Sequence, residues 1–203
     1  MQNIIPFLKQ LKPFHDHICP RQVLGIRMAW LAGELLQLDL PQTDKRLFIF
    51  VETDGCFADG ISVATGCWLG RRTLRLVDYG KVAATFVDTQ TGEALRVLPH
   101  PEARDRARDY APNEASRWHT MFQAYQIMPV NELLCWQAVE LTVSMSEIIS
   151  KPGARVICSQ CGEEIINERG VVIEEQTFCR ACYQPSYYSV GAKSQAQVLP
   201  CKS

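Results

Sequence analysis

The chain has 203 residues, a hydrophobic fraction of 47% and a formal net charge of −1. This length suits one substantial domain with a small appendage. The balance of charges argues against the basic surface that nucleic-acid-binding proteins present. The sequence shows neither an apolar stretch long enough to cross a bilayer nor a secretory signal at its start. We therefore expect a cytoplasmic protein without a membrane partner, whose nine cysteines stay reduced.

The first half of the chain predicts helices around one buried strand. The run LFIFV is continuously apolar, which is typical of a strand buried on both faces. Gly25 and Gly33 are expected to allow close packing of the helix that contains them. In chain order, the predicted elements are a helix over residues 4–12, a helix that starts after Cys19-Pro20, a strand over Leu47–Val51 and a helix over 57–66.

The second half predicts a meander, then helices and a further strand. Turn residues separate three strand-like runs, so we expect each run to pair with the next. Prolines mark the two helix starts that follow. The predicted elements are strands over 73–78, 81–88 and 93–98, helices that begin near Pro101 and Pro112, and a strand over 137–143.

Four cysteines in the last fifth of the chain have the spacing of a metal site. They form two Cys-x-x-Cys turns, one on each side of a short predicted hairpin. Zinc requires four sulfurs at about 2.3 Å from the ion, and paired turns of this kind can supply them. Two disulfides, or thiols in accidental register, are the alternatives. The spacing favours a zinc ribbon or treble clef with Cys158, Cys161, Cys179 and Cys182 as ligands.

A second group of potential ligands lies in the first half of the chain. His15, His17 and Cys19 precede one predicted helix, and Cys56 and Asp59 lie at the start of another. The positive end of a helix favours the thiolate form of Cys56. We predict a metal or thiolate site formed by His17, Cys56 and Cys19. The alternative is that these cysteines fill the core and that the histidines cap or hydrogen-bond.

Cys67 is predicted to lie in the wall of this pocket, because a straight helix separates it from Cys56 by about 16 Å at 1.5 Å per residue. The segment from Thr65 to Arg72 contains two glycines and can present backbone N–H groups to an anion. An ordinary turn between a helix and a strand explains these glycines equally well. The remaining cysteines and histidines are assigned to structural positions: Cys135, Cys201, His100 and His119.

These motifs resemble the FmdE-like family, which is associated with formylmethanofuran dehydrogenase, and the resemblance covers most of the chain. The family pattern has Phe-His-Gly-His-x-Cys-Pro-Gly, then Cys-x-x-Asp-Ala-Ile-Gln, Thr-Gly-Cys-Thr-x-Gly-Lys and Asp-Tyr-Gly-Lys. The matching residues are His15, His17, Cys19, Pro20, Cys56, Asp59, Ile61, Thr65, Gly66, Cys67, Gly70 and Asp78 to Lys81. The departures are Asp16, Arg21, Gly60, Ser62, Trp68 and Arg71.

The resemblance implies an α+β domain over residues 1–150, with a mixed or antiparallel sheet packed with helices. It also implies a four-cysteine zinc domain with a tail over 151–203, and a homodimer. The family takes its name from an association with a molybdenum or tungsten enzyme that reduces carbon dioxide onto methanofuran. Because the motif surroundings differ here, this member is expected to take a ligand of its own.

Three functions follow from these features. The first is a zinc-binding protein of this family with a second metal and a small molecule in the core, as a subunit or accessory of a one-carbon oxidoreductase. The second is a metal or redox carrier or sensor without catalysis. The third is a protein- or nucleic-acid-binding zinc ribbon on an inert core, with the near-neutral charge against nucleic acid.

If the core carries out chemistry, metal at His17 and Cys56 would act as a Lewis acid or activate water. Asp59 would serve as general base or orient a ligand. The ligand-binding positions would be Thr65, Cys67, Arg71 and Lys81, with Arg71 or Lys81 holding an anionic substrate.

Overall fold

A computed structural model of the chain describes residues 3–149, 151 and 153–189. The chain divides into two compact units, Met1–Thr142 and Val143–Ser203. Cys201 lies outside the described residues.

The first unit contains six helices and five strands among its described residues. The helices are α1 (Ile5–Leu11), α2 (Pro20–Leu35), α3 (Cys56–Thr65), α4 (Ala103–Tyr110), α5 (Arg117–Ile127) and α6 (Val130–Leu133). The strands are β1 (Leu47–Val51), β2 (Leu74–Leu76), β3 (Ala84–Asp88), β4 (Ala94–Pro99) and β5 (Leu134–Ala138). A short 3-10 helix, Lys12–Phe14, follows α1.

The five strands form one mixed sheet with the order β2-β1-β3-β4-β5. Strand β1 pairs in parallel with β2, and the other neighbours are antiparallel. Helices packed with a mixed sheet make this an α+β fold, which confirms the predicted class. Strand β1 is largely buried, as its continuous apolar run predicts.

The predicted meander is wrong at its first step, because β2 does not pair with β3. Strand β1, helix α3 and strand β2 form a crossover unit, and a crossover returns the chain parallel to its first strand. Strand β3 then pairs on the other edge of β1, and β3, β4 and β5 continue antiparallel.

Two predicted boundaries also differ from the structure. Strand β5 ends at Ala138, so most of the range predicted from 137 onward lies beyond it. Helix α5 begins at Arg117, well after Pro112, because Ser116 caps it: the Ser116 side chain accepts a hydrogen bond from the His119 backbone N–H.

Helices α2 and α3 cross at unusually short range. A Cβ atom placed on Gly25 would lie 2.2 Å from the backbone oxygen of Phe57, and one on Gly60 would lie 2.3 Å from that of Gln22. Only glycine permits two backbones to approach this closely. The crossing therefore sets the positions of both helix starts, which carry Cys19 and Cys56.

A buried arginine joins α2 to the end of α5. Arg27 donates hydrogen bonds to the carbonyl oxygens of Tyr125, at 2.8 Å, Gln126, at 3.2 Å, and Met128, at 2.8 Å. These carbonyls belong to the last turn of α5 and to its C-cap residue, where no intrahelical donors are available. Burial lowers the pKa of the Arg27 guanidinium.

Replacing Arg27 with methionine is expected to lower the free energy of unfolding by about 3 kcal/mol, because the α5 carbonyls lose a charged donor inside the protein. Urea unfolding followed by tryptophan fluorescence measures the change, since all four tryptophans lie within residues 1–142. Arg108→Met on the exposed surface of α4 is the matched control. Equal midpoints for the two variants would contradict this role for Arg27.

The second unit contains two short hairpins and two short helices in its described part. Helix α7 (Met145–Ile148) precedes strands β6 (Arg155–Ile157), β7 (Glu164–Ile166), β8 (Val171–Ile173) and β9 (Gln176–Phe178), and helix α8 (Arg180–Tyr183) follows. Strand β6 pairs with β7, and β8 with β9, both antiparallel.

Among the described residues, none of the helices is both long enough and apolar enough to cross a membrane.

Candidate functional site

A cavity of about 670 Å³ lies at the starts of α2 and α3. Segments distant in the chain converge on it, including the loop before β3 and helices α4 and α5. Its lining residues are His17, Cys19, Pro20, Arg21, Leu24, Cys56, Lys81, Val82, Pro99, His100, Pro101, Ala103, Arg104, Trp118, Met121 and Tyr125. The core pocket, as we call this cavity, brings together four residues singled out from the sequence: His17, Cys19, Cys56 and Lys81.

The two cysteines of the core pocket lie at helix starts. Cys19 is the N-cap residue of α2, and Cys56 is the first residue of α3. Gln22 fixes this end of α2, because its side-chain oxygen accepts a 2.8 Å hydrogen bond from the backbone N–H of Cys19. Burial, together with a hydrogen bond to the Cys56 side chain, raises the pKa of the Cys19 thiol to about 11. The two thiols are thus direct neighbours, with Cys19 protonated at neutral pH.

Asp59 contacts His15 rather than the core pocket. The Nε2 atom of His15 lies 2.9 Å from Oδ2 of Asp59 in the first turn of α3. This pair fastens the loop that carries His17 and Cys19 onto α3. Asp59 is not among the lining residues, so its position fits an anchoring role better than the predicted role of general base.

His17 reaches the core pocket from the same loop. Its ring centroid lies 6.3 Å from that of Trp118, and Trp118 stacks on Phe122 with an interplanar angle of 11°. Aromatic rings from α5 therefore form a wall beside the two thiols.

Several lining residues were missed in the sequence. Arg104, Trp118 and Tyr125 were not singled out, Arg21 was noted only as a departure from the family pattern, and His100 was assigned a structural position. One available signal was the spacing of Trp118, Met121 and Tyr125, which places all three on one face of α5. A second signal was the position of His100, which lies just before a helix in the same way that His17 lies before α2.

Three residues predicted to bind a ligand lie elsewhere and hold local structure. Thr65 donates from Oγ1 to the carbonyl oxygen of Ile61, and Arg71 donates to those of Gly66 and Thr43. The Cys67 thiol is buried, and Sγ donates to the Leu47 carbonyl oxygen at 3.3 Å. Burial raises the pKa of Cys67. Helix α3 carries all three away from Cys56, and none lines the core pocket.

The second unit brings four cysteines into one cluster. The sulfurs of Cys158, Cys161, Cys179 and Cys182 all lie within 4.8 Å of one another. Cys158 follows β6, and Cys179 is the N-cap residue of α8. The spacing of the motif therefore produces a group that can hold a metal, and we call it the four-cysteine cluster.

Backbone hydrogen bonds prepare one of these sulfurs to bind a cation. Burial by itself would raise the pKa of Cys158, but backbone N–H groups of Cys161, Cys179 and Gln160 lower it to about 6. The N–H of Cys179 lies 3.2 Å from the Cys158 sulfur. A thiolate at neutral pH is the form that binds metal.

In the part of the chain that the structure describes, His17, Cys19 and Cys56 do not form a group as tight as the four-cysteine cluster. The thiols of Cys19 and Cys56 are adjacent, whereas the His17 ring packs toward Trp118.

Comparisons with known proteins identify a family for the first unit. The family model described as "FmdE, Molybdenum formylmethanofuran dehydrogenase operon" matches residues 14–141. An Archaeoglobus fulgidus protein described as a "Probable S-adenosyl-L-methionine-binding protein" is 37% identical over 111 residues, which are 53% of this chain and 30% of that protein. The chain therefore spans less than a third of that relative.

A solved structure shares the fold. It is the crystal structure of a tungsten formylmethanofuran dehydrogenase FmdE-like protein from Syntrophus aciditrophicus. The TM-score is 0.60 at 22% identity, and the match covers 93% of this chain and 98% of the other.

Proposed function

This chain belongs to the FmdE family, and we propose that it binds zinc in the four-cysteine cluster and a second metal with a small molecule in the core pocket. One observation carries the second part. The thiols of Cys19 and Cys56, each at a helix start, meet in a cavity that His17 also lines. Sequence motifs far apart in the chain thus share one site.

The donor atoms of each site fit these metals. Four thiolates suit tetrahedral zinc, and two thiolates with one imidazole suit zinc or a softer transition metal with a coordination position left open. Binding in the core pocket requires Cys19 to lose its proton, which a cation makes favourable. The positive ends of α2 and α3 stabilise the resulting negative charge on the sulfurs.

Residues of this chain would surround a metal and ligand bound in the core pocket. A metal held there supplies Lewis acidity. Lys81 brings positive charge to the same cavity, and Trp118 contributes an aromatic ring to its wall. The His15–Asp59 pair holds the ligand-bearing loop in place. These roles fit a subunit or accessory of a one-carbon oxidoreductase of the formylmethanofuran dehydrogenase type.

A second candidate function is a metal or redox carrier or sensor without catalysis. The proximity of the Cys19 and Cys56 side chains favours it, because neighbouring thiols can release a metal and form a disulfide when an oxidant is present. Both functions suit a reducing cytoplasm and a homodimer.

Elemental mass spectrometry of the full chain tests the proposal. We expect two metal ions per wild-type chain and about one after Cys56→Ser, because the four-cysteine cluster remains intact. His17→Ala is expected to weaken retention of the core ion during dialysis. Cys135→Ser, a partly buried thiol on β5 outside the core pocket, is the matched control and should retain both ions.

An unchanged metal content after Cys56→Ser would refute the core metal site. Loss of the core ion on mild dialysis of the wild type, with protein fold unchanged, would favour the carrier or sensor.

A further inference from the structure

We propose that the core pocket takes an organic anion, a carboxylate or phosphate ester joined to a flat apolar body, and this inference rests on the proposed function of the same site. The observation behind it is a set of basic side chains beside an aromatic wall in one cavity.

The arginine and lysine side chains of the lining come from three separate segments. Arg21 lies in the first turn of α2, Lys81 in the loop before β3, and Arg104 on α4, so three separate segments each contribute a cation. The lining contains no aspartate or glutamate. Within the described residues, none of the three cations forms an ion pair. A cleft with charges of one sign attracts ligands of the opposite sign.

Nearby carboxylates form ion pairs with residues other than Arg21, Lys81 and Arg104. Glu102 and Asp105, which flank Arg104 on the chain, pair with Arg106 and Arg117. Asp59 is held by His15. The positive character of the core pocket is therefore not neutralised by these neighbours.

Arg104 lies near a buried residue of the same lining. Its charge acts on Tyr125, a residue only 4% exposed, and both line the cavity. The planar guanidinium presents paired N–H donors that match two oxygens of a carboxylate or of a phosphate. The positive ends of α2 and α3 act in the same direction.

Part of the wall is apolar and suits a carbon body. Trp118 presents a ring that Phe122 supports by stacking, with Met121 and Leu24 nearby. A volume of about 670 Å³ far exceeds a bare inorganic anion and falls within the range of roughly 300 to 1,000 Å³ that is typical of small-molecule sites. The ligand is thus a molecule with an anionic group and an apolar portion.

Matched probes test the two halves of this inference on the full, metal-loaded chain. Benzoate and benzamide share a ring and differ in charge, and phenyl phosphate and inorganic phosphate share a charged group and differ in the ring. Titration calorimetry gives each Kd. We expect benzoate to bind at least tenfold more tightly than benzamide, and phenyl phosphate at least tenfold more tightly than inorganic phosphate.

Charge variants locate the anion. Arg104→Gln and Lys81→Gln are each expected to weaken phenyl phosphate binding about tenfold and to leave benzamide binding unchanged. Lys9→Gln on the exposed side of α1 is the control and should alter neither Kd. Thermal unfolding verifies that the variants remain folded, which is expected because these side chains are exposed.

The same samples separate this inference from the metal proposal. Discrimination between benzoate and benzamide that persists in Cys56→Ser assigns anion binding to the basic side chains. Equal Kd values for charged and neutral probes, or charge variants that behave like Lys9→Gln, would overturn the inference even if the core metal is present. A chain that lacks the core metal but still selects anions would refute the metal proposal alone.

Discussion

Cys158→Ser is expected to unfold the second unit while the first unit stays folded. Among the described residues from 143 onward, only Cys158 and Ile165 are buried hydrophobic residues, so little apolar burial supports this fold. Structural zinc in such small modules contributes about 10–16 kcal/mol of binding free energy, most of which is folding free energy. Loss of one ligand removes most of that stabilisation.

Hydrogen exchange with mass spectrometry measures the effect for each unit separately. Peptides from residues 153–189 should lose protection in Cys158→Ser, and peptides from 47–99 should keep it. A chelator added to the wild type should have the same effect on the second unit. Cys135→Ser is the control, and peptides from both units should stay protected in it. Retained protection from 153 to 189 after metal removal would show that the fold does not depend on the ion.

Gly25→Ala is expected to destabilise the first unit by about 3 kcal/mol, at the upper end of the usual cost of overpacking. The added methyl group would meet the backbone oxygen of Phe57 at 2.2 Å and the backbone nitrogen of Ile61 at 2.9 Å. A side chain can change rotamer, but these atoms belong to α3 itself, so the two helices must separate. Because α2 and α3 carry Cys19 and Cys56 at their starts, the variant should also retain less metal in the core pocket.

Urea unfolding by tryptophan fluorescence, together with metal analysis, checks both effects. Gly70→Ala is the matched control, because a Cβ atom there would have no heavy atom within 4 Å. Gly60→Ala should resemble Gly25→Ala, since its Cβ would meet the Gln22 backbone oxygen at 2.3 Å on the other side of the same crossing. If Gly25→Ala unfolded at the same urea concentration as Gly70→Ala, the close crossing would not limit stability.

Much of the fold could be predicted because its signals are local. The proline after Cys19 marks the start of α2, Gly66 ends α3 in a left-handed conformation, and the apolar run Leu47–Val51 forms β1. The pairing of β2 was not predictable in the same way. Its neighbour depends on the crossover through α3, whereas turn residues alone indicated pairing with the next strand.

In the candidate site, too, local features could be predicted and long-range ones could not. Pro20 and the predicted start of α3 placed the two thiols at helix starts, as the structure has them. Yet Cys67, which lies in the family motif after that of Cys56, is buried in the core, because helix α3 separates the two cysteines. The family resemblance, which the family model confirms, could not separate these two cysteines.

The four-cysteine cluster and the family of the first unit follow from the amino-acid sequence alone, because Cys-x-x-Cys spacing and short motifs act over a few residues of covalent chain. The surroundings of Cys19 and Cys56 depend instead on how distant segments pack. Arg104, Trp118 and Tyr125 reach them from α4 and α5, and that proximity arises from long-range contacts, including the hydrogen bonds from Arg27 to the end of α5. The local spacing of residues does not reveal such contacts. The charge and shape of the core pocket depend on them.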